Sequence, residues 1–566
     1  MSFLVDVPLD PSEQRRLRRL IALVLLAIVL PYAWAIAITP PGAEYGGLLY
    51  NPDDQNVHLA WARQAAQGHF FLRDLFTTEG LSSGQAPLFT NLFCWFMGVV
   101  SRVLHVPLIG VYHALRLLFA ALALAWFYAL CSRLTEDKRL RFLAVVLAAF
   151  SAGAGWMQSI LPGLLGGRIF IDRPDGPLMM PEAFIFTSAL VFPLNIASVA
   201  LLALIYALVL QAQQTGELRA ACIAGATAFL LTNIHTYDAL PLDATMLIWA
   251  GLNWPSPPAP LPKLGEGSQK QDANRMRWQA PLIVIAGTLP PLLYQWIVFQ
   301  KSEEFRLKAV TPTPAPPLLD VLLSYGPLIL LAAAGAVLAW REPRSRLMVI
   351  WALVTLCFIY APVSFARKMI EGLHLPLCFL AATGLLRLAA RAPSALSQRA
   401  IIASVAGVLC ISSLQFVNWC LANAGDNNSQ RGGIFMPPLY LTRGDASALR
   451  FLATSPDVAH NRAVLSWPKV GNYGPRETGR HFYIGHWAET LHPGRKLEAT
   501  QRFYSGAMSQ NEALAWLREN HIGYVIEGFY ERAFAQANAW LLPSQRLPLQ
   551  RIFNENGTAV YAVPQK

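Results

Sequence analysis

Asp53 and Asp54 stand side by side in the segment Asn51–Gly68, NPDDQNVHLAWARQAAQG. Adjacent carboxylates can supply a general base or hold a divalent cation. On a helix, His58 lies one turn beyond Asp54 on the same face. Asn51 is placed to cap that helix, Pro52 suits its first turn, and Gly68 can end it. Carboxylates in a first helical turn also stabilise the helix dipole with no chemistry at all. What surrounds the pair therefore decides its meaning.

Four further constellations combine residue types that can do chemistry. RIFIDRPDGPLMMPEAF offers Asp172, Asp175 and Glu182, and TNIHTYDALPLD places His235 and Asp238 between two apolar runs, where ionisable groups are costly to keep. In SFARKMIEGLHLP, Arg367 and Lys368 form a cationic pair, followed at helical spacing by Glu371 and His374. Arg binds phosphate through a bidentate fork and Lys as a point charge, while snorkelling to lipid headgroups is the plainer role. GRHFYIGHWAETLHPGRK interleaves aromatic faces with hydrogen-bonding groups, as a sugar-binding surface requires, with His486, Trp487 and Glu489 as its candidates. The histidines His481, His486 and His492 do not follow a zinc-ligand spacing.

The elements that must position these groups are mostly apolar. Of 566 residues, 54% are hydrophobic and only 14% charged. Membrane-length runs recur at about 20–38, 108–131, 141–160, 184–211, 219–234, 238–253, 279–299, 318–340, 347–361, 373–389 and 400–420. The sequence thus predicts an α-helical polytopic membrane protein of about 11–13 transmembrane helices. Phe89–Val103 is short for a crossing and reads as interfacial or re-entrant. Arg15, Arg16, Arg18 and Arg19 precede the first run with no small-residue cleavage site, so that run reads as a retained span.

Basic connectors orient the chain. With the N-terminus cytoplasmic, Arg133–Arg141, Lys263–Arg277, Arg341–Arg346 and Arg387–Arg399 all fall inside. Asn51–Ala86, Pro162–Ala183, His235–Asp238, Lys301–Pro317, Ser364–Gly372 and everything beyond about residue 421 then face outward. The polar constellations gather on that one side. The net charge of +11 is accounted for by inside-facing loops and contact with anionic membrane lipids, and no nucleic-acid motif is present. All seven cysteines lie in or beside apolar runs without metal spacing, which argues against disulfide or zinc chemistry.

Beyond residue 421 charges return and the pattern alternates. Ala446–Ala453 and Asn511–Asn520 read as helices, Ala463–Trp467, Tyr524–Gly528 and Ala559–Val563 as strands, and Asn556-Gly557 as a tight hairpin turn. The expected organisation is a transmembrane domain over 1–421, with an outer loop at 39–86, and a small extracytoplasmic α/β domain over 422–566.

Together these features resemble the GT-C class of membrane glycosyltransferases, the group of protein O-mannosyltransferases, lipid A aminoarabinose transferases and oligosaccharyltransferases. The likeness rests on a first span, then PDDQNVHLAWARQAAQG opening the first outer loop, then Ala86-Pro87-Leu88 entering the second apolar segment, many spans and a C-terminal outer domain. The resemblance implies transfer of a sugar from a polyprenyl-phosphate-linked donor to a glycan, lipid or protein acceptor at the outer face of the inner (plasma) membrane. It also implies that Asp53 or Asp54 is the catalytic base and that Arg367 and Lys368 hold the donor phosphate. Asp54 is favoured because it shares a face with His58. His58, Glu182, His235, Asp238, Glu371, His374, His486, Trp487 and Glu489 are expected to bind substrate. A divalent metal (Mg or Mn) is used by some members of the class and not by others. The rival readings are a transporter or flippase of lipid-linked glycans, an oligosaccharide ligase and a non-catalytic membrane assembly protein. Transporters commonly carry internal repeats, and none is visible in this chain.

Overall fold

The computed structural model describes residues 10–82, 86–153, 156, 180–254, 268–309, 312–429 and 433–564. Gln85, Asp172 and Asp175 lie outside these residues. The chain divides into two compact units, one formed by Met1–Val29, His113–Trp296 and Pro312–Asn418, the other by Leu30–Tyr112, Ile297–Thr311 and Trp419–Lys566.

The first unit is helical. Helices Pro11–Ala37, Leu108–Leu134, Pro193–Thr215, Arg275–Lys301 and Ala395–Gly425 are long and apolar enough to cross a membrane. Their outward faces are apolar: Leu26 is 56% exposed, Leu293 58% and Leu414 69%. Leucines facing outward in such rows need a hydrocarbon surrounding. Pro193–Thr215 is the exception, since it is enclosed by other helices from Pro193 to Ala212.

Two runs that read as single spans are each broken in two. The 184–211 run parts at Phe192, because Pro193 pushes its predecessor into the extended conformation seen there. The 318–340 run forms Leu318–Tyr325 and Pro327–Ala339, bent by 87° at Gly326 (φ 47°). The remaining runs become the helices Lys138–Phe150, Leu218–Ile234, Ala239–Leu252, Arg346–Phe358 and His374–Ala389, and the end of the 141–160 run beyond Gly153 lies, but for Trp156, outside the described residues.

The second unit holds residues 39–86, the segment expected from the sequence to be the first outer loop, a short helix Glu303–Ala309 and the C-terminal region. Helix Pro52–Ala66 packs against helix Leu92–Leu104. A Cβ on Gly98 would come within 2.3 Å of the Ala62 carbonyl oxygen, so only glycine permits this approach. At 13 residues Leu92–Leu104 spans about 20 Å, short of the ~30 Å hydrocarbon core.

Two sheets organise the C-terminal region. Strand β1 (Ala43–Tyr45) from the first outer loop pairs antiparallel with β2 (Tyr440–Thr442). The other four strands, β3 (Ala463–Leu465), β4 (Ile522–Glu527), β5 (Gln550–Glu555) and β6 (Thr558–Ala562), line up in the order β3-β4-β6-β5. β3 and β4 are parallel, and the other neighbours antiparallel. The β5–β6 loop is Asn556-Gly557, both at positive φ (47° and 79°), as a tight two-residue hairpin requires.

Strand alternation splits the apolar residues between two faces. Val464, Ile526 and Val560 pack with Leu449 and Leu452 of helix Arg443–Thr454. Leu465, Ile522 and Val525 pack with Phe503, Tyr504 and Leu517 from helices Pro493–Ser505 and Gln510–Glu519. The result is a small sheet covered by helices on both faces.

Candidate functional site

Helix Pro52–Ala66 carries the acidic pair. Asn51 does not cap it through its side chain, because its backbone lies in the left-handed region (φ 45°, ψ 55°). Gln55 reaches back instead and donates to the carbonyls of Tyr50 and Asn51. Gly68 (φ 104°) lets the chain turn away, with His69 N–H closing on the Gln64 carbonyl at 3.1 Å.

The segment rich in His and Trp folds onto the first outer loop. Phe482 N–H donates to Leu75 O (2.8 Å), Thr490 Oγ1 to Phe76 O (2.9 Å), and His481 Nδ1 lies 2.7 Å from Thr77 O. Arg476 donates to Asn56 Oδ1 (2.9 Å) and to Gly46 O (2.8 Å). These contacts set His486 over the first turn of the acidic helix.

Asp54 Oδ1 lies 3.3 Å from His486 Nε2, and Asp53 Oδ2 lies 4.0 Å from it. The Asp54 side chain is 48% exposed, whereas those of Asp53 and His486 are buried. Among the described residues, Asp53 Oδ1 accepts no hydrogen bond. Burial, reinforced by the Asp54 charge, pushes the Asp53 carboxyl up to about 6, against the opposing pull of His486. Burial disfavours a charged His486, but Asp54, Asp53 and Glu489 outweigh it and raise its pKa. The backbone N–H groups of Ala488 and Glu489 both donate to His486 Nδ1, each at 3.0 Å. Nδ1 therefore acts as an acceptor, and Nε2 faces Asp54.

Asp53, Asp54 and His486 bring their ligand atoms within 4.8 Å of one another.

A second charged group lies in the same unit. Lys308 contacts Asp74 Oδ2 at 3.5 Å and hydrogen-bonds the Glu489 carboxylate, with its ammonium 5.5 Å over the Trp61 ring and 4.9 Å over Phe305. Burial pushes the Asp74 carboxyl up to about 7; Lys308 opposes this and Glu489 adds to it. Burial works against the Lys308 charge, yet Asp74 and Glu489 hold its pKa above the ordinary lysine value.

The expected substrate-binding residues fall into different surroundings. Trp487 is 44% exposed and stacks on the His486 ring. Glu489 is engaged by Lys308 and only 15% exposed. His58 lies beside Trp61, ring centres 5.7 Å apart. In the first unit, His374 is buried, its Nε2 3.1 Å from Ser151 Oγ and its Nδ1 accepting from Ile185 N–H. Arg367 and Lys368 lie in the short helix Ala366–Ile370, with the Lys368 ammonium 4.8 Å over the Tyr237 ring. Glu182 is half-buried in the helical turn Pro181–Ala183. His235, Asp238 and Glu371 come together: His235 Nδ1 is 3.0 Å from Asp238 Oδ2, and Nε2 is 3.2 Å from Glu371 Oε2.

Sequence reasoning missed Asp74 and Lys308. Lys308 belongs to the segment Lys301–Pro317, which sequence reasoning assigned to the outer side without singling out any of its charges. It also paired Asp54 with His58, its neighbour in sequence, where the structure supplies His486.

No protein-family model and no curated protein matches this sequence. Solved structures do. ArnT from Cupriavidus metallidurans bound to undecaprenyl phosphate superposes with a TM-score of 0.51 at 11% identity, covering 96% of this chain and 98% of that one. The arabinofuranosyltransferase AftD from Mycobacteria gives 0.53 at 14% identity over 100% of this chain and 40% of its own. The apo oligosaccharyltransferase of Archaeoglobus fulgidus gives 0.50 at 12% identity over 96% and 74%. At such identities the likeness carries the architecture: this chain is a polytopic α-helical membrane protein with a GT-C-like fold.

Proposed function

We propose that the protein is a membrane glycosyltransferase that moves a sugar from a polyprenyl-phosphate-linked donor to an acceptor hydroxyl on the extracytoplasmic face. The observation that carries this reading is the half-exposed Asp54 at the start of its helix, 3.3 Å from Nε2 of His486 and beside a buried Asp53. Asp54 is the proposed base. It takes the acceptor's proton as the acceptor oxygen attacks the sugar C1. The bond from C1 to the phosphate oxygen breaks, and the polyprenyl phosphate leaves with the electron pair. His486, whose Nε2 lies 3.3 Å from Asp54 Oδ1, orients that carboxylate electrostatically.

The polyprenyl donor is suggested by the fold shared with ArnT, which was solved with undecaprenyl phosphate. In the first unit, Arg367 and Lys368 are the cations we assign to a donor phosphate, Arg367 through a bidentate fork. The exposed Trp487 face suits stacking against an acceptor glycan. The reading also sets the N-terminus in the cytoplasm of an inner-membrane protein and residues 422–566 outside.

The decisive experiment is transfer from a synthetic polyprenyl-phosphate sugar by detergent-purified Asp54→Asn protein. Loss of at least 100-fold in kcat, with donor binding retained, is expected for a missing base. Full activity of this variant refutes the assignment of Asp54. Arg367→Ala/Lys368→Ala is expected to weaken donor binding, seen as a raised KM.

A further inference from the structure

The structure assigns a divalent metal site to His235, Asp238 and Glu371 in the first unit, beside the Arg367-Lys368 pair proposed for the donor phosphate and distinct from Asp53, Asp54 and His486. Helix Leu218–Ile234 ends at His235, the turn Thr236–Asp238 follows at once, and Glu371 comes directly after the short helix Ala366–Ile370. Two chain segments far apart in sequence thus bring an imidazole and two carboxylates to one point.

All three side chains are more than nine-tenths buried: His235 is 8% exposed, Asp238 1% and Glu371 2%. Among the described residues, both oxygens of Asp238, both of Glu371 and His235 Nδ1 make no hydrogen bond. The ring nitrogens nonetheless lie 3.0 and 3.2 Å from carboxylate oxygens. Groups so close without hydrogen-bond alignment face a common point instead of each other. Ligands at bond lengths of about 2.0–2.2 Å around one ion lie roughly 3–4 Å apart. One atom from each residue falls within 4.8 Å of the others, which meets that requirement after a small inward shift.

Charge points the same way. Two buried carboxylates without a hydrogen-bond donor carry a large desolvation cost, and a divalent cation neutralises both at once. Glu182 adds a further negative charge that acts on Glu371. One imidazole with two carboxylates suits Mn2+ or Zn2+, with the remaining positions open to water or an oxygen ligand.

The test uses full-length protein in detergent, stripped with chelator and titrated with MnCl2. One equivalent of tightly held Mn2+ is expected by elemental analysis, with the nitrogen hyperfine coupling of one imidazole in its pulsed electron paramagnetic resonance spectrum. His235→Gln should abolish the coupling, and Glu371→Gln should weaken retention at least 10-fold. Asp53→Asn/Asp54→Asn should leave both unchanged, so loss of transfer in that variant and loss of metal in these are separate results. Wild-type protein that retains neither Mn2+ nor, in a parallel titration, Zn2+ overturns the assignment. Bound Mn2+ without a nitrogen coupling overturns it equally, whether or not the variants fold.

Discussion

Asp53 and Asp54 are neighbours in sequence with opposite surroundings, one buried and one half in solvent. Asp53 holds its proton more tightly folded, with a pKa near 6, than unfolded, where 3.8 is normal. Stability from that proton is present below about pH 4 and lost as the pH rises through about 6. Asp53→Asn should therefore raise the melting temperature at pH 7.5 while changing it little at pH 4. If Asp53 must be ionised for transfer, wild-type activity should fall as the pH drops through about 6. In Asp53→Asn that acid limb should move to lower pH, as a pH–rate profile will show. Lys308 makes a second residue-scale prediction: Lys308→Met leaves Asp74 buried without its cation and should cost roughly 3–5 kcal/mol in chemical denaturation. The acidic pair was legible in the sequence because it opens an amphipathic helix. Its partner was not, since no local signal links Asp54 to a histidine in the C-terminal region.

Among elements, the contact between helices Pro52–Ala66 and Leu92–Leu104 is the least forgiving. A side chain at Gly98 meets the Ala62 backbone, which has no rotamer to yield. Gly98→Val should destabilise the second unit by about 1–3 kcal/mol and move the acidic turn, lowering kcat more than a surface substitution such as Arg518→Ala. Thermal melting and transfer assays on the same preparations check both. Most helices could be read from apolar runs, and the Asn556-Gly557 hairpin from turn chemistry alone. The breaks at Phe192 and Gly326 were harder to see, because hydropathy averages across a bend. Strand β5 (Gln550–Glu555) escaped notice for a different reason: it lies at the sheet edge, where Gln550, Arg551, Asn554 and Glu555 are exposed and give no apolar alternation.

For the whole molecule, composition alone gave the membrane class, and the solved relatives supply its architecture. Sidedness is the prediction that belongs here. Single cysteines introduced at Arg344 and Arg391 into a cysteine-free chain should react with impermeant maleimide only after the membrane is opened. Cysteines at Glu498 and Gln536 should react in intact cells provided the outer barrier is permeabilised. The reverse pattern would refute the proposed orientation and remove the basis for an extracytoplasmic reaction. The two-unit division was the least legible feature, because the second unit is assembled from three separate stretches of chain.

That assembly sets a timetable for biosynthesis. Strand β1 and the acidic helix emerge from the ribosome early, yet β2 and His486 are made some 400 residues later. At about 5–20 residues per second, the interval is on the order of 20–90 s. Throughout it the first outer loop must wait without its sheet partner or its histidine, exposed to proteases and chaperones on its own side of the membrane. A chain that stalls or is cut before residue 486 keeps its carboxylates but never gains the group that orients them. On the proposed assignment, competence for transfer arrives only once residue 486 has been made.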